Sequence, residues 1–201
     1  MTNFKKERTL VLIKPDAVQR SLIGEIVSRF EKVGLKIVAL KFFVPTEEQI
    51  EKQYAPSREE IEALGRRSIE NQKKKHGIII KDTPYKQGRM IVDRLKKFMS
   101  SGPIVAMILE GNQAIAIVDK IVGATEPLSS DVGTIRGDFT IDSYLMADTN
   151  GRAVRNLVHR SGSKEEAERE IKVWFKPDEI INYRLISEKI LYDVNLDGIL
   201  E

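Results

Sequence analysis

The chain has 201 residues, enough for one domain of ordinary or slightly enlarged size that buries roughly 70% of its unfolded surface. Hydrophobic content of 41% beside 31% charged residues excludes a disordered chain, no apolar run approaches the ~20 residues that span a bilayer, and the lack of cysteine excludes a disulfide framework or a thiolate metal site. A net charge of +3 and a pI near 9.0 come from 33 basic against 30 acidic residues, a balance too even for a dedicated nucleic-acid binder and a weak argument for an anionic ligand.

In chain order, Met1 to Arg8 is too polar for a signal peptide, so the expected location is cytoplasmic. Thr9 to Ile13 is an apolar, β-branched strand that ends at Lys14-Pro15-Asp16, which leaves the lysine at the carboxyl end where ligands of open α/β sheets sit. Ile23, Ile26, Val27 and Phe30 mark a helix face stopped by Gly34, and a second strand runs from Leu35 to about Val44. Thr46-Glu47-Glu48-Gln49 is a capping box that opens a helix ending near Tyr54. From Ala55 to Gln87 the composition changes. Ser57 caps a thinly amphipathic helix with Ile61 and Leu64 on one face, Ile78-Ile79-Ile80 reads as a short strand or a packing patch, and the lysine run ending at His76 reads as a solvated surface. Too few apolar residues occur there for a separate core, so the stretch is an insertion on one domain.

Ile91, Leu95 and Phe98 mark the next helix, which Ser100-Ser101-Gly102-Pro103 ends; Ile104 to Leu109 is a candidate central strand. A helix carrying Ala114, Ile117, Val118 and Ile121 closes at Gly123, and a long polar loop follows to Asp138. Phe139 to Ala147 reads as a strand, Asn150-Gly151 as a tight hairpin turn, and Ala153 to Val158 as the returning strand. Pro177 to Ile180 suggests a short helix and Arg184 to Ile186 a last strand. There is no internal repeat, no Walker-type Gly-Lys-Ser/Thr loop and no G-x-G-x-x-G fingerprint. The order of elements suits an α+β fold of the ferredoxin-like kind, an antiparallel sheet with helices on one face, with a helical or irregular insertion at about 55–87 and a β-hairpin insertion at about 142–154.

The stretch Asn156 to Ser163 holds one of two histidines in the chain. Ser163-Lys164-Glu165-Glu166 reads as a capping box, and Ala167, Ile171 and Trp174 fix the inward face of the helix it opens. Glu170 lies on that face, where an unpaired charge costs several kcal/mol or more, on the order of the cost of burying any unsatisfied ion. Its nearest partner is His159. A carboxylate holds an imidazole in one tautomer, which makes it a nucleophile or a general base; a structural histidine beside a glutamate that snorkels to water is the other reading of the pair alone.

Glu7-Arg8-Thr9-Leu10 running into Ile13-Lys14-Pro15-Asp16, then Val18-Gln19-Arg20, Gly24-Glu25-Ile26, Ser101-Gly102-Pro103, Gly123-Ala124-Thr125-Glu126-Pro127, Gly133-Thr134-Ile135-Arg136-Gly137-Asp138-Phe139 and Asn156-Leu157-Val158-His159 together resemble nucleoside diphosphate kinase, in family order and over most of the chain. The resemblance implies ping-pong transfer of the terminal phosphoryl group from a nucleoside triphosphate to a nucleoside diphosphate, with broad base specificity, through a phosphohistidine at His159 oriented by Glu170 and Ser161. It further implies Mg2+ carried on the nucleotide phosphates and no protein metal site, Lys14, Thr125 and Arg136 at the phosphates, Tyr54 near the histidine, Asn156 at the sugar and a homo-oligomer. Ile91 stands where the family commonly has an aromatic residue stacking on the base, and Leu95 matches the other side of that clamp. Asp119 stands where an arginine usually touches phosphate, Arg160 replaces a small residue and Gly162 an acidic one; Arg160 is read as supplying the charge lost at Asp119. A non-catalytic nucleotide-binding or scaffold member of the fold is the alternative. A nucleic-acid module ranks third, because the paired aromatic strands of such RNA binders are missing.

Overall fold

The computed structural model describes residues 6–55 and 57–192, without the side chains of Lys75 and His76; the expectation of a solvated His76 side chain therefore falls outside the described residues. The elements in order are β1 (Glu7–Ile13), α1 (Pro15–Gln19), α2 (Ile23–Lys32), β2 (Lys36–Phe43), α3 (Glu47–Tyr54), α4 (Arg58–His76), α5 (Pro84–Met99), β3 (Ile104–Gly111), α6 (Ala114–Val122), α7 (Ile135–Phe139), α8 (Tyr144–Thr149), β4 (Val158–Arg160), α9 (Lys164–Trp174) and α10 (Glu188–Tyr192), with 3-10 turns at Pro127–Ser129 and Pro177–Glu179.

The four strands form one antiparallel sheet in the order β2-β3-β1-β4, the split β-α-β arrangement of a ferredoxin-like fold. Helices cover both faces of this sheet rather than one. Val11, Ile13, Val105, Met107 and Leu109 pack against α2 and α6, while Leu10, Leu12, Ile104, Ala106 and Ile108 pack against α3 and α9. Covering on both sides explains why β1 and β3 read as unbroken apolar runs: neither face of the alternating strand meets water.

Local signals place most of the boundaries. The Thr46 side chain and Gln49 form the capping box that starts α3, Ser57 caps α4, and Thr83 caps α5 with Pro84 at its first turn. Helices α4 and α5 form a hairpin in which Gly65 and Gly88 let the backbones touch; a Cβ on either would collide with the carbonyl of Pro84 or of Ile61. Between them Ile78, Ile79 and Ile80 form no strand, and Ile78 and Ile79 are exposed.

Four further expectations are corrected. Residues 139–147 are not a strand: the end of α7, an irregular link and α8 occupy them, because the Ser143 hydroxyl accepts from Met146 N and starts a helix. Asn150-Gly151 stops that helix instead of turning a hairpin, with Gly151 in the left-handed region, and only Val158–Arg160 of the returning segment joins the sheet, against β1. Residues 184–186 are not a strand either, and Ile186 is exposed. The capping box at Ser163 is half formed: Ser163 accepts from Glu166 N, but the Glu166 carboxylate accepts from Gly162 N (2.7 Å).

Candidate functional site

β4 lies beside β1 with His159 opposite Leu12, and α9 returns over the other face of the sheet. The residue before β4, Leu157, sits in the left-handed region at φ 64°, a conformation that costs a non-glycine residue on the order of 1–2 kcal/mol. Its backbone is clamped on both sides: Leu157 N donates to Asp16 Oδ2 (3.1 Å), and Leu157 O accepts from Lys14 N (2.8 Å). The strained bend seats His159 and the end of β1 together.

His159 Nε2 lies 3.0 Å from Glu170 Oε2, and the Ser161 hydroxyl donates to the same oxygen at 2.6 Å. Gln53, on the inner face of α3, donates to Glu170 Oε1 (2.5 Å), and its own carbonyl accepts from the Trp174 indole (2.6 Å). Burial alone would lift the Glu170 carboxyl, but its attraction to the adjoining His159 ring and the hydrogen bonds from His159, Ser161 and Gln53 hold it below the usual range. An ionised carboxylate only accepts, so Nε2 carries the ring proton and Nδ1 keeps its lone pair. Nδ1 has no hydrogen-bond partner among the described residues. The ring is 17% exposed and lines the main cleft, so it is not sealed from solvent. Tyr54 meets it edge-on with centroids 5.6 Å apart, and the Tyr54 hydroxyl is buried without a partner. Burial and then the Glu170 charge push that phenol upward, so it stays a donor.

The cations line the same cleft as the ring. Lys14 is 4% exposed, and its Nζ donates to Asn156 Oδ1 at 2.7 Å. Burial, and next the charge of Arg136, bring the Lys14 amine down to about 8, against a smaller opposing pull from Asp16. Asn156 turns its amide nitrogen to Thr125 O (2.8 Å), so both ends of that side chain are engaged and it holds Lys14 in place. Arg136 is lowered to about 10 by burial and then by Arg160, which leaves it charged at neutral pH. Its guanidinium donates to the carbonyls of Asn156, Gly123, Ala124 and Val158. Four of its five N–H groups are thereby used, so it offers positive charge and one hydrogen rather than an open fork. Arg160 pairs with Asp119 at the rim and also lines the cleft. A Cβ at Gly162 would lie 3.0 Å from Glu166 Oε2 and 3.4 Å from Arg160 Nη1, a reason for glycine beside that arginine.

The cleft has a volume of about 690 Å³. Ile91 and Leu95 of α5 line it together with Thr125, so each of the residues singled out from the sequence either lines the cleft or, as with Ser161, is bonded to one that does. The insertion contributes as well: Leu64, Arg67, Asn71 and Gln72 of α4 form one wall, and Asp148 and Arg152 from the stretch around α8 another. Asp148 accepts from Gln72 and from Arg94 Nη1 (2.8 Å), which joins α4, α5 and α8.

Sequence reading missed Gln53, Trp174 as a polar partner, and the α4 wall. A signal for Gln53 existed: Ile50 and Gln53 lie three residues apart on one face of α3, and a glutamine on the apolar face of a helix requires a partner. Chemically, the arrangement can take a multiply charged anion between fixed cations and a ring nitrogen with a free lone pair. Among the described residues no cluster of three histidine, cysteine, aspartate or glutamate side chains could hold a metal ion.

Comparison with known proteins gives a consistent picture. The family model described as nucleoside diphosphate kinase matches residues 7–62 and 83–180. A nucleoside diphosphate kinase of Pyrobaculum aerophilum is 49% identical over 179 residues, spanning 87% of this chain and 98% of that one. One of Pyrococcus abyssi is 43% identical, spanning 91% and 92%. The crystal structure of an NDP kinase from Pyrobaculum aerophilum superposes with a TM-score of 0.81 at 47% identity, over 88% of this chain and 100% of that one. A transition-state mimic of the Borrelia burgdorferi nucleoside-diphosphate kinase, with bound vanadate and ADP, gives 0.76 at 34% identity, over 94% and 98%.

Proposed function

This chain belongs to the nucleoside diphosphate kinase family, and on that premise we propose that His159 Nδ1 is the atom through which it moves phosphate. The enzyme transfers the terminal phosphoryl group of a nucleoside triphosphate to a nucleoside diphosphate. The observation that carries the assignment of roles is the pairing of Nε2 with an ionised Glu170, which leaves the opposite ring nitrogen unprotonated in a cleft that holds Lys14 and Arg136.

In the first half-reaction Nδ1 attacks the γ-phosphorus and a P–N bond forms. The bond from that phosphorus to the bridging oxygen breaks, and its electron pair leaves on the β-phosphate of the departing diphosphate. Glu170 stabilises the positive charge that grows on the ring, with Ser161 holding the carboxylate. Lys14, Arg136, the Thr125 hydroxyl, the Tyr54 hydroxyl and the charge of Arg160 offset the negative charge on the phosphate oxygens; Asn156 keeps Lys14 aimed and meets the sugar. The second half-reaction reverses these steps with a different diphosphate, so one pocket serves both nucleotides and needs no P-loop.

Mg2+ would enter this cleft as a passenger of the nucleotide: among the described residues no group of three histidine, cysteine, aspartate or glutamate side chains could hold the ion by itself. When bound, it cancels charge on the phosphate oxygens. Ile91 and Leu95 grip the base with aliphatic surface that reads little of its edge, which supports broad use of purine and pyrimidine nucleotides. We infer further that the chain is a single kinase domain bearing a helical insertion and works as a homo-oligomer in the cytoplasm. Among the described residues no helix is long and apolar enough to cross a membrane.

The test is incubation with ATP and magnesium, then measurement of intact mass. One added phosphoryl group is expected on the wild type, with loss of the label on addition of a different diphosphate and no label on His159→Ala. A label that persists in the variant overturns the assignment.

A further inference from the structure

We propose that Gln53 is a positioning residue for this reaction: it holds the Glu170 carboxylate in the single orientation that keeps the proton on His159 Nε2 and leaves Nδ1 as the nucleophile. The inference rests on the assignment of His159 above and concerns a residue outside the phosphate-contacting set.

Gln53 is 3% exposed, and its amide has no freedom to flip. The Trp174 indole N–H can only donate, so the oxygen 2.6 Å from it must be the Gln53 carbonyl and the amide nitrogen must face the active centre. There the nitrogen donates to Glu170 Oε1 at 2.5 Å, while Oε2 takes Ser161 and His159. Among the described residues the other cation near Oε1 is Arg169, 3.8 Å away and beyond hydrogen-bond distance. A buried carboxylate oxygen with no donor turns toward whatever donor it can reach, and any such rotation pulls Oε2 off the imidazole.

The same amide nitrogen stands 3.0 Å from His159 Nε2. In the competing tautomer, with the proton on Nδ1, Gln53 would donate to that ring nitrogen and the nucleophile would be lost. The amide has two hydrogens; one is held by Glu170 Oε1, and the ionised Oε2, which can only accept and lies 3.0 Å from Nε2, outweighs the second, so the carboxylate selects the tautomer and Gln53 acts by holding it in place. The chain thus runs Trp174, Gln53, Glu170, His159, and it couples the core packing of α9 to one ring nitrogen.

The experiment uses the full chain with Gln53→Met, which has similar length and neither donor nor acceptor, and Gln53→Glu. Readouts are the single-turnover rate of His159 phosphorylation by ATP across pH, the dissociation constant for ADP, and the nitrogen-15 spectrum of the His159 ring in the unliganded protein, assigned by its loss in His159→Ala. For Gln53→Met the expected result is a phosphorylation rate reduced roughly tenfold to a hundredfold, ADP affinity unchanged, and a ring spectrum shifted from the Nε2-protonated form toward a mixture. Gln53→Glu places a second carboxylate beside Glu170, so one of the pair is protonated more readily and the acid limb of the rate profile moves to higher pH. If Gln53→Met does not fold, Trp174→Phe reads the same tautomer by freeing the amide to rotate. Wild-type phosphorylation rates with a single Nε2-protonated ring in the variants overturn the proposal. A wild-type protein that takes no label on His159 instead sinks the nucleophile assignment, and the ring spectrum still decides the role of Gln53.

Discussion

Lys14 shows how burial turns a proposed phosphate ligand into a pH sensor. Water is withheld from its ammonium, Arg136 repels it, and its amine falls to about 8. A bound phosphate restores the missing partner and favours the charged form. ADP binding near pH 8.5 should therefore take up a proton, and affinity should weaken as pH rises through about 8; calorimetry in buffers of different ionisation enthalpy measures both. The stability of the unliganded chain has the opposite sign. Between about 8 and the ordinary 10.5 the unfolded chain binds more protons than the folded one, so this residue makes stability rise with pH across that window. Lys14→Met should abolish the proton uptake and flatten that rise. Equal proton uptake in the variant would assign the titration to another group.

At the scale of elements, the site-bearing parts were legible and the covering parts were not. Thr9 to Ile13, the capped α3 and the Glu170 face of α9 announce themselves because each combines a boundary signal with a burial pattern that both local and tertiary forces satisfy. The stretch from Phe139 to Ala147 misleads because its apolar residues alternate without a buried face: Ile141 is 92% exposed, and Asp142, held by Arg152 and by Arg155 N, organises the turn instead. Asn-Gly supplies the left-handed residue that a hairpin needs and equally the one that ends a helix, so the dipeptide alone does not choose. The helical insertion was legible as a helix with a solvated side, yet nothing local reveals that Arg67, Asn71 and Gln72 face the cleft. Asp148 is what ties that wall down. Asp148→Ala leaves Gln72 and Arg94 without their shared acceptor, each worth about 1–3 kcal/mol if left unsatisfied and buried. The expected outcome is faster hydrogen exchange along α4 and a raised KM for nucleotide, with the single-turnover phosphorylation rate at saturation retained. Unchanged exchange along α4 would mean that the hairpin stands on Gly65 and Gly88 packing alone.

For the molecule as a whole, the sheet is asymmetric in a way that bears on assembly. β4 closes one side with three residues, while β2 is the other edge and carries exposed Leu40 and Phe42, with exposed Val44 just beyond it. An edge strand with apolar side chains and unpaired backbone groups invites another strand, and proteins that stay monomeric blunt such edges. Here the blunting is partial. The segment after α9 covers the first half of the strand, where Ile181 N donates to Val38 O (2.8 Å) and the Tyr183 hydroxyl to Ile37 O (2.8 Å), and the bulge at residues 37–39 marks the covered part. Lys36, shared between Glu110 and Glu188, pins that strap at its far end. Beyond the strap, Lys41 and Phe43 turn toward Trp174, while Leu40, Phe42 and Val44 stay exposed, Phe42 at 60%. We propose that copies of this chain associate through that exposed part of the edge, which would bury the patch without disturbing the strap or the cleft. Phe42→Asp should then reduce the mass observed by sedimentation to that of a smaller assembly, while phosphorylation of His159 in a single turnover persists. An unchanged sedimentation coefficient would place the contacts between subunits on another surface.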